Sequence, residues 1–325
     1  METEKIMETE IKHPSLHSNK NTKKDLLKKM IKQKTLIIMS IPFLIYVFIF
    51  NYLPLAGWTM AFQNYKPAKG FFNQTWCGLD QFKFLFSDPT FVKVVRNTLC
   101  MSLINLTLGF ICSIGFALLL NELRNILCKK FIQTVSYLPH FLSWIIVTGI
   151  VADVLSSDGG IINQLLVSTH IIAQPINFFA DTKYFWGIVG ITNVWKEVGW
   201  GSIIYLSAIT AINPDLYEAA EIDGAGRFQK MLHVTLPGIK STIFILLIMN
   251  IGNILNAGFE VQYLLGNGLV QEVSQTIDIF VLKYGISLSN YSLATAAGIF
   301  KSVISVTLIF IANRFAKSAG EERLF

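Results

Sequence analysis

The sequence predicts an all-α integral membrane protein with six transmembrane helices, and three observations carry that prediction. Of its 325 residues, 52% are hydrophobic and 15% charged, with a mean hydropathy of +0.50, a balance that excludes an ordinary soluble domain. Apolar runs of about 20 residues recur along the chain, too long for the core helix of a globular domain. They lack the alternation of barrel strands, so helices must satisfy the backbone within lipid. The net charge of +6 therefore bears on orientation in the bilayer and not on a nucleic-acid partner. The four cysteines (Cys77, Cys100, Cys112, Cys128) have neither disulfide-framework nor metal-ligand spacing.

In chain order, residues 1–34 are polar and carry nine lysines against five acids. Leu26, Leu27, Met30 and Ile31 share a face within a lysine-rich stretch, a pattern for a basic amphipathic helix on anionic lipid or for a solubilising tail. The first span is expected at 36–55, retained because no cleavage site follows it. An aromatic-rich outer loop (57–96) follows. The second span, 98–120, aligns Thr98, Ser102 and Asn105 on one inward edge. The third, 131–155, contains Pro139 and His140. The fourth, 184–212, holds Lys196 and Glu197, the fifth, 241–264, holds Asn250, Asn253, Asn256 and Glu260, and the sixth, 291–311, holds Lys301.

Between the fourth and fifth spans lies a short polar island. Asn213 suits a helix N-cap, Pro214 the first helical position and Asp215 the positive end of the helix dipole. Gly224 offers the left-handed turn that ends the helix. A second helical segment is expected from Arg227 to Leu236, ending at Pro237. Glu218-Ala219-Ala220, three residues, Gly224, nine residues and then Val234-Thr235-Leu236-Pro237 resemble the EAA motif of type I ABC importer permeases. The one departure is Val234, where isoleucine is usual.

That resemblance implies the type I importer (MetI-like) permease fold, with 213–237 as a cytoplasmic coupling loop. It implies an ATPase dimer docked on Glu218, Ala219 and Ala220, with Gly224 forming the turn and Leu236 and Pro237 closing the motif. The further partners it implies are a second, unlike permease subunit and an extracytoplasmic solute-binding protein. Ser157 to Leu166, Gly258-Phe259-Glu260 and Tyr291 to Ala296 resemble the oligosaccharide and polysaccharide branch, which implies a saccharide substrate. Permeases for non-sugar solutes, and a non-transporting sensor on the same fold, remain alternatives.

Eighteen of the 27 basic residues fall in the tail, the 121–130 loop, the 213–240 region and the C-terminus, against seven in the other loops. This bias puts both termini and the Glu218 loop on the cytoplasmic side, and the resemblance implies that the membrane is a bacterial inner membrane. The expected organisation is a cytoplasmic tail (1–34), a first span with its outer loop (35–96), a five-helix core (97–315) and a C-terminal tail (316–325).

No phosphate loop, metal-ligand spacing or nucleophile elbow is present in the sequence. We therefore expect no catalytic residues and no cofactor, with ATP and Mg on the partner ATPase. The five histidines read as incidental polar residues. Polar groups at bilayer depth are costly and normally face protein or a water-filled path. Candidates for that path, or for hydrogen-bonded packing between helices, are Asn193, Glu197 and Trp200 on the fourth span and Asn250, Asn253, Asn256 and Glu260 on the fifth. The first three lie within about 60° of one another on a helix, with Trp200 a candidate ring for stacking on sugar. Lys196 and Glu197 diverge by about 100° on a helix and are not expected to neutralise each other.

Overall fold

The computed structural model describes residues 32–318, and the chain divides into two units, Met1–Gly57 and Trp58–Phe325. The expected tail helix up to residue 31, and the last residues from 319, lie outside the described residues. In the first unit, α1 (Lys34–Val47) continues into a π turn at Phe48–Tyr52. It is apolar around its whole circumference, as a lipid-facing helix must be.

The second unit opens with a small cap in place of the expected loop. β1 (Gln63–Asn64) pairs antiparallel with β2 (Thr75–Trp76), with Gln63 opposite Trp76. The Gln74 side chain closes the intervening turn, accepting from the Lys66 N–H and donating to its carbonyl. α2 (Asp80–Ser87) then leads into α3 (Pro89–Asn121). Asp88 caps α3 by accepting from Thr90 N at 2.8 Å, with Pro89 in its first turn. That Asp-Pro signal starts the helix well before residue 98, because a cap and a preset φ can outweigh the polar residues of its first turns.

α3 and α7 (Thr182–Thr210) form the parallel spine of the unit. Ile104 and Leu108 meet Gly190, Asn105 bonds to Asn193, and Ser113 meets Gly201, in step along both helices. Three apolar clusters mark successive levels of this spine: Phe91 with Phe280 and Leu293, Met101 with Phe185 and Val261, and Leu120 with Ile209 and Ile239. Both helices run toward the third cluster. The 122–125 turn and the Glu218 region therefore lie at the same end.

The return paths are broken helices. α4 (Ile126–Tyr137), capped by Asn125, passes through a tight turn at Leu138–Phe141 into α5 (Trp144–Val154), capped by Ser143. The two pieces bend by 105°, so the segment expected as the third span, 131–155, is a broken helix. Pro139 accounts for the corner, since it cannot donate to the helical ladder. α6 (Ile161–Ser168) lies between α5 and α7 in the chain.

After the motif region, α10 (Lys240–Gly252) stops at Asn253, and α11 (Phe259–Leu265) begins only after Gly258, whose φ is +82°. The continuous fifth span is corrected in the same way. α12 (Gln271–Ser274) and α13 (Ile277–Leu282) return the chain to the first cluster, and α14 (Tyr291–Ser318) descends along α10.

Among the described residues, by length and apolar composition, Lys34–Phe62, Pro89–Asn121 and Tyr291–Phe315 can each cross a bilayer, and two bent pairs, Ile126–Phe141 with Trp144–Val154 and Arg227–Gly238 with Lys240–Gly252, raise the number to five at most. α7 is long enough at 29 residues but is not in that set, because Asn193, Lys196, Glu197 and its glycines dilute its apolar content.

Candidate functional site

The EAA-like segment folds as a helical elbow. In α8 (Pro214–Ile222), Asn213 Oδ1 accepts from Asp215 N at 3.1 Å and Pro214 occupies the first turn. Gly224, at φ +80°, stops the helix in a conformation that costs a side-chain-bearing residue about 1–2 kcal/mol. The second arm, α9, runs Arg227–Gly238 and meets α10 at 60°. The arm ends at Gly238, one residue past the expected stop at Pro237. A π turn at Met231–Thr235 absorbs the register change, and the helix continues through Leu236–Gly238.

Two contacts brace the elbow. Tyr217 Oη lies 3.0 Å from Thr235 Oγ1, a buried hydroxyl, and Lys230 Nζ lies 3.1 Å from a Glu221 carboxylate oxygen. Glu218 and Ala219 are exposed, and Ala220 is half-buried. Leu216, Ile222 and Phe228 are also exposed, so the elbow presents apolar side chains as well as Glu218.

A second constellation lies midway along α7, at the α4–α5 corner. At the corner the Lys196 ammonium donates to the His140 carbonyl at 2.7 Å and to the Pro139 carbonyl at 3.4 Å, the latter also accepting from Leu142 N at 3.1 Å. Lys196 is only 4% exposed, yet its charge is met by these dipoles, by the Trp144 ring at 5.2 Å and by Glu197 at 3.5 Å. Lys196 and Glu197 therefore do approach each other. Both long side chains turn toward the corner, which overrides their divergence along the helix. Glu197 Oε2 also lies 2.7 Å from His140 Nδ1. The His140 ring stacks on Trp200 with centroids 4.5 Å apart and planes 1° from parallel. The corner can approach because Gly199 lacks a side chain: a Cβ there would lie 2.1 Å from the Ser136 carbonyl oxygen.

Beside this cluster is a cavity of about 310 Å³ between α3, α7 and α10, lined by Asn105, Glu197, Trp200, Tyr205 and Asn250. Asn193 reaches its edge through Asn105, donating at 3.2 Å, and Asn105 donates to the Ala257 carbonyl at 3.3 Å. The α10–α11 break thus has one of its free carbonyls satisfied by a side chain of the spine. Asn253, Asn256 and Glu260 do not share one helical stripe with Asn250. Asn253 caps α10, Asn256 lies in the break 3.4 Å from the Asn253 side-chain oxygen, and Glu260 sits exposed in the first turn of α11. None of these three lines the cavity.

Residues 105–320 match the family model for the binding-protein-dependent transport system inner membrane component. The chain belongs to that family. It is 45% identical over 94% of its length, and 95% of the relative's, to the polygalacturonan/rhamnogalacturonan transport system permease protein YteP of Bacillus subtilis (strain 168). It is 44% identical to protein LplB of the same organism, over 90% of this chain and 92% of that one. A chain in the crystal structure of a bacterial alginate ABC transporter, in complex with an alginate pentasaccharide-bound periplasmic protein, superposes with a TM-score of 0.84. The identity is 36%, covering 92% of this chain and 99% of that one. The protein is an inner-membrane, multi-pass, all-helical permease component of an ABC importer, and is not the ATPase.

Sequence reasoning about this permease missed His140. The signal lay beside it, in Pro139: a proline within an apolar run of spanning length marks a break, and a polar residue at a break finds partners that a helix-interior residue lacks.

Proposed function

We propose that this permease is one of two unlike membrane subunits that together pass an oligosaccharide, released by an extracytoplasmic binding protein, into the cytoplasm. The substrate class follows its relatives, one named for polygalacturonan and rhamnogalacturonan and another solved as an importer of the acidic polysaccharide alginate. The ATPase dimer, which carries ATP and Mg, docks on Glu218, Ala219 and Ala220. The proposed topology has six spans, with α7 as a polar fourth span, both termini cytoplasmic, and the 1–34, 35–96, 97–315 and 316–325 organisation. The charge bias supports it, as does the location of the 122–125 turn and the elbow at one end of the spine.

The observation that carries this reading is the exposed helix α8, braced to α9 and leading directly from α7, whose middle lines the polar cavity. Closure of the ATPase dimer displaces α8 as a rigid lever. The tilt reaches the α4–α5 corner through α7, and the cavity opens to one side or the other. Within that path, Asn193, Glu197, Trp200 and Asn250 contact the sugar from the cavity. Asn253, Asn256 and Glu260 serve further along the α10–α11 break, where unwound backbone is tolerated because it borders a cavity. Trp200 stacks through a single face, its other face being covered by His140.

The test uses the assembled transporter in proteoliposomes, with Glu218→Arg and Gly224→Val measured separately. Each is expected to cut sugar uptake about tenfold or more, the loss of a charge-assisted contact or a strained turn, while the permease stays in the membrane. Unchanged uptake in both variants refutes the coupling role.

A further inference from the structure

We propose a second saccharide-binding site in this permease, at the end of the α3–α7 spine opposite the elbow and separate from the cavity at Trp200. It rests on the importer reading above and adds to it a receiving site on the outer side.

The site is built on the α11–α12 segment. A shallow groove of about 190 Å³ is lined by Gln262, Tyr263, Asn267, Gln271 and Gln275. It adjoins a second hollow of about 310 Å³ that shares Gln271 and Gln275 and adds Lys93 and Glu272. Amides beside an exposed aromatic ring are the side-chain chemistry that pairs with the hydroxyls and the apolar face of a sugar. The irregular backbone here is held firmly. Asn97 donates to the carbonyls of Glu272 and Gln275 at 2.8 and 3.1 Å, and the Trp186 indole donates to Val273 O at 3.0 Å. Thr98 Oγ1 accepts from Ile277 N at 2.9 Å, and Asn267 Nδ2 donates to Phe179 O at 2.9 Å. These bonds join the segment to α3, to α7 and to the stretch before α7, and they leave the Gln271 and Gln275 side chains for the groove, while the Asn267 amide is taken up by Phe179 O and by the Leu269 and Val270 N–H groups.

Gln262 supplies an independent observation. It is fully buried, its Nε2 donates to Ala257 O, and its Oε1 has no partner among the described residues. A buried amide oxygen without a donor is uncommon in a packed interior, and this one lies on a residue that lines the groove. At the rim, Lys93 pairs with Glu272 at 2.8 Å, with both side chains more than half exposed. The Lys93 hydrogen bond and charge, with a smaller contribution from Arg96, hold the Glu272 carboxyl below the usual carboxylate range. The half-exposed Lys93 ammonium is the cation that a uronate carboxylate meets at this rim, in competition with Glu272.

The occupant is one end of the oligosaccharide, held while the rest is still on the binding protein. A docking loop of that protein is the competing occupant, and the experiment separates the two. The complete permease–ATPase complex in nanodiscs is exposed to an oligosaccharide prepared from polygalacturonan, without binding protein, and hydrogen exchange is followed by mass spectrometry. The expected result is slowed exchange over residues 262–277. Gln271→Ala and Gln275→Leu, each in a complex that still assembles, are expected to raise the saccharide concentration needed for half of that protection about tenfold.

No protection over 262–277, or protection that both variants leave unaltered, overturns the site. Protection produced by sugar-free binding protein and not by saccharide assigns the groove to protein docking and overturns it too. Uptake by the wild-type complex with its binding protein is measured in parallel. Uptake without protection sinks this site alone, whereas absent uptake sinks the saccharide-importer reading beneath it.

Discussion

At the scale of single residues, the permease shows how a membrane protein keeps charge at depth. Lys196 is buried near the middle of α7, where an unpaired ammonium would be prohibitive. It is stabilised by the His140 and Pro139 carbonyls at the α4–α5 corner and by Glu197, while Glu197 also holds His140. The lysine is thus a structural clasp, and the cavity-lining member of the group is Glu197. Glu197→Ala is expected to leave His140 and Lys196 less well compensated and to raise the half-saturating concentration for saccharide-stimulated ATP hydrolysis about tenfold, equivalent to about 1.4 kcal/mol. Wild-type kinetics in this variant would return Glu197 to packing. The pairing was illegible in the sequence because residues 140 and 197 are brought together only by the corner.

At the scale of elements, breaks matter more than helices. The EAA elbow was readable almost residue by residue: Asn213, Pro214 and Gly224 are local signals, and local signals act wherever the chain goes. The breaks at Leu138–Phe141 and after Gly252 were not read, since hydropathy averages over a window and is blind to one bend within an apolar run. Gly199 is the element-level consequence, since it lets α4 touch α7 backbone to backbone. Gly199→Ala is expected to force the two apart and to cost about 1–3 kcal/mol of stability, seen as a lower Tm of the purified complex. An unchanged Tm would mean that the corner yields freely.

At the scale of the molecule, three apolar clusters follow α3, two of them shared with α7, and form an axis with the elbow at one end and the amide-lined groove at the other. Under the coupling proposed above, this axis carries a force applied at α8 to the α4–α5 corner without deforming the core. The proposed topology is checked by single cysteines at residues 122, 218 and 267 on a cysteine-free background, labelled with an impermeant maleimide in intact cells. Residue 267 is expected to react from outside, and 122 and 218 only after the membrane is opened. Labelling of 218 from outside would invert the orientation and remove the ATPase contact.

Composition, apolar run length and short capping patterns determined the class of this protein, its elbow and the side chains worth watching, because those depend on neighbours along the chain and on the solvent. Tertiary structure decided which of those side chains meet. Asn250 joins Glu197 at a cavity while Asn253, Asn256 and Glu260 fall away from it, and His140 becomes a partner of both Glu197 and Trp200. Such meetings depend on where an apolar helix bends, and the bend is set by packing between segments far apart in sequence.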